Sequence, residues 1–422
     1  MASWLDGIEA GIETGIETVR PGDLGEARDA VMDGRERGSA LLVRGGGTKL
    51  GLGWPPERID RVIDTTGLHR LIDHDPGDMT ATVQAGMTLA ALAEELARAG
   101  QRLAVDPPLG DKKSATVGGV FASNDSGPCR LGHGSLRELV IGMTVILGDG
   151  TMARSGGKVI KNVAGFDLCK LFCGSLGTLG LVAELTVRLH PIPEHVETVR
   201  VASNAGQGSE LALALMASPL EPSAVVYDGD VLWIRFEGSR GRAMAESERA
   251  RALVAGQGLS SDRVPEKDSQ ALWSEMSERL AGLPGETVVR IASLPARLEA
   301  VVQAVHDVMQ ASASDVTASW QSQVCLGLHV VRIVGGEAAA HAGIVRALRA
   351  RIIELGGHAV VWRQGAGLDG AGSGPGEKGA IDPIDPIDPF GPLPSAFPVM
   401  RRVKERLDPG RRFAPGRFIG RL

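Results

Sequence analysis

An apolar run, Leu41-Leu42-Val43, passes through Arg44 into Gly45-Gly46-Gly47-Thr48-Lys49-Leu50-Gly51-Leu52-Gly53, and no other stretch restricts the first half of the chain as strongly. The run is short enough for a buried strand, and the glycines after it read as an open loop. Ordering so many glycines is entropically expensive, so the backbone there must take positive φ or let another group come very close. Successive N–H groups in such a loop form a concave nest for anions, to which Thr48 adds a hydroxyl and Lys49 a charge. A phosphate or pyrophosphate suits such a nest; a solvent-exposed turn is the other reading of this stretch taken alone.

Two common phosphate loops do not fit. A P-loop needs Gly-x4-Gly-Lys-Ser/Thr, and a dinucleotide fingerprint needs Gly-x-Gly-x-x-Gly opening a helix. Here Thr48-Lys49 runs on to Trp54-Pro55-Pro56, which does not start a helix. With 422 residues the chain is long enough for two or three cores, and a net charge of -6 argues against nucleic acid as a partner. No apolar run reaches the ~18 residues of a membrane span, and the N-terminus lacks a secretory pattern, so the expected location is cytoplasmic, with membrane contact only through partners. Cys129, Cys169, Cys173 and Cys325 match no zinc or iron–sulfur spacing and read as buried apolar thiols, so no metal site is expected.

Along the chain, residues 1–23 carry a Gly-Ile-Glu near-repeat and read as a mobile lead-in. Residues 24–37 read as a helix ended by Gly38, residues 58–64 and 78–85 as strands, and 89–99 as a helix with Thr88 as N-cap. Residues 139–147 and 151–154 read as a hairpin turned by Gly148-Asp149-Gly150. Between them, Ala115-Thr116-Val117-Gly118-Gly119-Val120-Phe121-Ala122-Ser123-Asn124-Asp125-Ser126-Gly127-Pro128 is dominated by small residues. It reads as an extended wrapper around a flat polar ligand, or as a plain loop.

Three segments in fixed order then resemble the FAD-binding domain of the vanillyl-alcohol oxidase and p-cresol methylhydroxylase superfamily. They are Arg44-Gly45-Gly46-Gly47-Thr48, the block from Pro107-Pro108 through Thr116-Val117-Gly118-Gly119 to Ser126-Gly127-Pro128, and Gly174-Ser175-Leu176-Gly177-Thr178-Leu179-Gly180. Lys161-Asn162-Val163-Ala164-Gly165-Phe166-Asp167-Leu168 is similar to the FAD-binding subunit of glycolate oxidase, and residues 407–418 resemble the family's closing segment. The resemblance implies an α+β fold: a two-part FAD-binding domain (24–193) and a cap (194–364) with an antiparallel sheet and helices on one face. A Gly/Pro-rich insertion (365–392) and a C-terminal segment (393–422) returning to the FAD domain would follow.

By the same resemblance, Arg44, Pro107 and the backbone of Gly45, Gly46, Gly47, Thr48 and Lys49 would hold the cofactor, the loop taking its pyrophosphate. Thr116, Val117, Gly118 and Gly119, with Ala122, Ser123, Ser126 and Gly127, would line the isoalloxazine and ribityl. Gly180 and Val182 would lie by the adenine. Relatives that attach the flavin covalently use a histidine in the loop, where this chain has Gly47 and Thr48, so the FAD is expected to be non-covalent.

In the second half, strands are expected at 197–202, 224–228, 231–236, 288–292, 326–333 and 358–362. Helices are expected at 210–216 with Ser209 as N-cap, 242–254, 295–309 and 338–355. Arg363 is the one candidate catalytic residue, to hold a substrate carboxylate or to lie solvated; Arg235, Arg290 and Arg332 raise the same question. His306, His329, His341 and His358 occur singly and form no metal motif. The resemblance implies the FAD-binding subunit of a multi-subunit glycolate oxidase that turns glycolate into glyoxylate, with a sister FAD-linked subunit expected to do the chemistry and an iron–sulfur subunit to carry electrons on. A self-sufficient 2-hydroxy acid dehydrogenase and a non-catalytic assembly subunit are the alternatives.

Overall fold

A computed structural model describes residues 16–110, 113–158, 167–312, 315–365 and 387–422. The Lys161 to Phe166 part of the family-like stretch, and most of the Gly/Pro-rich insertion, lie outside them.

The first unit is built on two sheets. Glu17–Val19, Arg61–Asp64 and Leu41–Arg44 form a parallel three-stranded sheet in that order. Leu71–Asp75, Thr80–Gln84, Leu181–Arg188, Val140–Ile146 and Met152–Gly156 form an antiparallel five-stranded one. The helix Leu24–Glu36 starts at Asp23, whose carboxylate accepts from the Glu26 N–H at 2.9 Å. It turns Ala27, Ala30 and Val31 toward Leu41 and Ile63, and Ile146, Leu181 and Phe413 complete that core. The end of the expected mobile lead-in is thus a strand. Arg61 is 3% exposed, and Glu17 gives it a carboxylate at 2.6 Å, so recruiting this polar strand compensates a buried charge.

The small-residue segment is not an extended wrapper. Val117–Ser123 is a helix, capped by Thr116, whose hydroxyl accepts from the Gly119 N–H at 3.1 Å, and ended by Asn124 at φ 52°. Within it Gly118 serves close packing: a Cβ there would lie 2.7 Å from that of Ala85.

The second unit is an eight-stranded antiparallel sheet. Its order is Ser261–Val264, His195–Ala202, Val231–Gly238, Ala224–Tyr227, Thr317–Gln323, Leu328–Val334, Thr287–Ala292, His358–Arg363. One face carries Val225, Tyr227, Ile234 and Phe236 under the helices Ala205–Met216 and Arg240–Gly256, and Val289, Ile291, Val331 and Val361 under Leu298–Ala311 and Ala338–Glu354. The first of these helices begins earlier than expected. Asn204, not Ser209, is its N-cap, in a reciprocal pair with Gln207. One more helix, Glu266–Glu278, packs Trp273 and Met276 against Ala224 and Val226 on the opposite face. At the end of the insertion, Ile387 is 5% exposed in the cap core, and the Val361 N–H donates to the Pro389 carbonyl at 2.7 Å.

Of the lone histidines, His329 and His341 are buried and hydrogen-bonded. His329 is 2% exposed between the hydroxyls of Ser322 and Ser293, each at 2.9 Å, and burial holds its pKa down to about 4. The unfolded chain binds this proton near pH ~6.5 and the folded chain only near ~4, so its contribution is full above the first value and lost as pH falls to the second. His329→Gln is therefore expected to flatten the acid loss of stability by about 2 kcal/mol between pH ~7 and ~5, read from urea midpoints.

The C-terminal segment returns to the first unit. The Leu41 N–H donates to the Arg412 carbonyl at 2.7 Å and the Ala414 N–H to the Leu41 carbonyl at 2.8 Å, which sets Phe413 beside the strand that feeds the glycine loop.

Candidate functional site

The loop after Leu41–Arg44 is shaped by contacts that only glycine allows. A Cβ on Gly45 would lie 2.2 Å from Thr116 Oγ1, and one on Gly46 would lie 1.7 Å from the Ser114 carbonyl oxygen. Gly47 has φ +78°, which favours glycine. The loop is thereby pressed against the start of the Val117–Ser123 helix. Together they line an open cleft bordered by Arg44, Gly45, Gly46, Gly47, Thr48, Lys49, Thr116, Gly119, Ala122 and Ser123.

Seven other expected residues do not line it. Val117 is in the core, Gly118 packs on Ala85, and a Cβ on Gly127 would meet the Asp106 carbonyl at 1.9 Å. Ser126 receives the Arg130 guanidinium at 3.3 Å, and Pro107 is buried. Gly180 and Val182 lie where the strand Leu181–Arg188 begins beside Val140–Ile146.

Sequence reasoning missed four lining residues: Val43, Leu50, Leu176 and Arg417. Arg417 arrives on the C-terminal segment, is 3% exposed, and donates through Nη2 to the Leu50 carbonyl at 2.8 Å. Burial lowers its pKa to about 10, so the guanidinium stays charged at neutral pH. The resemblance of residues 407–418 to a closing segment was the available signal; nothing in it singled out this side chain.

The cations of the loop are tied to carboxylates. Arg44 pairs with Asp64 at 3.0 Å. Lys49 lies 3.0 Å from Asp125 Oδ2 and donates to the Pro108 carbonyl at 3.2 Å. Asp125 is fully buried and also receives Arg290 of the cap at 2.7 Å, while that guanidinium stacks 3.5 Å from the Trp362 ring. Burial pushes the Asp125 carboxyl up, but Arg290 and Lys49 outweigh it and hold it below the usual range.

A second charged group spans the same seam between the units. Arg235 donates to Cys129 Sγ and lies 3.0 Å from Glu237, which also bonds Arg102 and His133. Burial raises the Glu237 carboxyl, but His133, Arg235 and Arg102 bring it down to about 2. Arg332 pairs with Glu286 at 2.9 and 2.7 Å. Arg363 donates to the Gly282 carbonyl at 3.3 Å. Burial raises the Cys169 thiol to about 11 and those of Cys173 and Cys325 to about 12, which disfavours the reactive thiolate.

The cleft suits the phosphates of a dinucleotide, because close-packed glycine backbone, a threonine hydroxyl and a buried guanidinium face one hollow. A family model described as an FAD binding domain matches residues 17–156. Glycolate oxidase subunit GlcE of Escherichia coli is 32% identical over 258 residues, 60% of this chain and 69% of that protein. Glycolate oxidase subunit GlcD of Bacillus subtilis is 33% identical over 188 residues, 44% of this chain and 40% of that protein. The solved structure of alkyldihydroxyacetonephosphate synthase superposes with a TM-score of 0.70 at 17% identity, over 94% of this chain and 76% of that one, a likeness of fold.

Proposed function

The chain belongs to the family of FAD-binding glycolate oxidase subunits, and on that premise we propose that it is the flavin-carrying subunit of a complex that oxidises glycolate to glyoxylate. The observation that carries the reading is the single cleft formed by the Gly45 to Lys49 loop, the Thr116 turn and Arg417. When bound, FAD supplies an acceptor for the hydride that a 2-hydroxy acid loses from carbon. Residues of the chain hold and orient it. Glycine backbone lets the pyrophosphate approach the loop, Thr48 adds a hydroxyl, and Arg417 braces the Leu50 carbonyl from behind.

Purified chain is expected to show flavin absorbance at near-equimolar content. Acid precipitation is expected to leave that flavin in the supernatant, as befits non-covalent binding. Colourless protein after reconstitution with FAD would sink the proposal, and flavin retained in the pellet would overturn its non-covalent part.

A further inference from the structure

The carboxylate of Asp125 lies between a cation of the cofactor loop and a cation of the cap. Its Oδ1 accepts from Arg290 Nη2 at 2.7 Å and from the Ser126 N–H at 3.0 Å, and Lys49 Nζ is 3.0 Å from its Oδ2. The Asp125 side chain is 0% exposed, Lys49 10% and Arg290 19%. An indole ring, that of Trp362, backs the guanidinium. Two cations in a dry setting with an aromatic wall make a receptor for one small carboxylate. Arg290 is used on one edge only: its Nε is buried and has no hydrogen-bond partner among the described residues. A guanidinium suited to fork-like pairing is thus engaged by a side chain that reaches it through a single nitrogen.

Two other cap arginines, Arg235 and Arg332, repeat the pattern. Arg235 carries Glu237, Arg332 carries Glu286 through two bonds, and Arg363 rests on a backbone carbonyl. A 2-hydroxy acid approaching Arg290, Arg235 or Arg332 would therefore meet cations already neutralised by the chain's own acids. Displacing a buried, charge-paired carboxylate with an equivalent one from water yields little, because the incoming anion must also shed its hydration.

We infer that Asp125 occupies from within the chain the anion site made by Arg290 and Lys49, standing in for the carboxylate of a small acid. Resting on the reading above, this places acid binding on a partner subunit and leaves this chain to carry flavin. Removing Asp125 uncovers a latent receptor for a free carboxylate.

Chemical rescue tests this. Flavin content is measured first by absorbance; its failure would count against the proposed function alone, since the rescue is read as a melting temperature. Asp125→Ala is expected to melt lower than wild type. Acetate or glycolate should restore about half or more of that loss with saturation, whereas chloride at equal ionic strength should not, and Asp125→Ala with Arg290→Met should not respond. Wild type should show no saturable response, and the variant should bind acetate at least ~10-fold more tightly. A wild-type response removed by Arg290→Met overturns the inference, as does a folded Asp125→Ala that no carboxylate rescues. If Asp125→Ala does not accumulate, Asp125→Ser, which opens nearly the same space and keeps a small hydroxyl, serves in its place. Should neither variant fold, the wild-type titration decides by itself, and absence of a saturable shift supports the inference.

Discussion

Gly46→Ala is expected to give a folded chain that purifies almost without flavin. The new Cβ would lie 1.7 Å from the Ser114 carbonyl oxygen, a collision with backbone, so loop and opposing turn must separate. Separation opens the cleft where the pyrophosphate would lodge. A loss of about 3 kcal/mol in cofactor affinity corresponds to at least ~100-fold weaker binding, read by titrating apoprotein with FAD and following fluorescence quenching. Gly47→Ala is the informative companion. Its Cβ would meet nothing nearer than Leu50 Cδ1 at 3.9 Å, so it carries only the strain of φ +78°, on the order of 1–2 kcal/mol. Equal flavin binding in wild type and Gly46→Ala would remove the glycine loop from the cofactor site.

Lys404→Met is expected to cost about 3–5 kcal/mol of stability and to release flavin as well. Lys404, 3% exposed, donates to the Thr178 carbonyl at 2.6 Å, to Asp408 at 2.6 Å and to the Phe413 carbonyl at 3.1 Å. Asp408 in turn accepts from the Arg412 and Phe413 N–H groups at 3.0 and 2.9 Å. Burial alone lowers the lysine's pKa, and Asp408 opposes that; removing the ammonium leaves a carboxylate that is 1% exposed without its counter-charge. The same bonds fix the turn that delivers Phe413 to the core and Arg417 to the cleft, so stability and flavin retention should fall together. A urea midpoint within about 1 kcal/mol of wild type, with flavin retained, would contradict this role.

The parts of the fold written in short-range pattern were legible. Thr88 and the glycines around Asp149 announce their own cap and turn, and the loop at Gly45 announces a bare backbone. Strand Thr317–Gln323 was not legible, because Thr317, Ser319 and Gln321 alternate with Ala318 and Trp320 in a strand nearly free of aliphatic side chains. Helix Glu266–Glu278 escaped for a related reason: it buries only Ser269, Trp273, Met276 and Ser277. The stretch after Thr116 was misread because small residues permit both a ligand-hugging strand and a tightly packed helix, and only the contact with Ala85 decides between them. Arg417 could not be found by spacing at all, since the carbonyl it braces on Leu50 lies 367 positions earlier.

That separation bears on the order of events during synthesis. The glycine loop leaves the ribosome early, yet one wall of its hollow is encoded beyond position 410. A nascent chain that has not passed Arg417 has no finished seat for a nucleotide, whatever the local state of its first sheet. Flavin uptake is therefore a late event in the life of each molecule, and a translation product halted in the cap would emerge colourless.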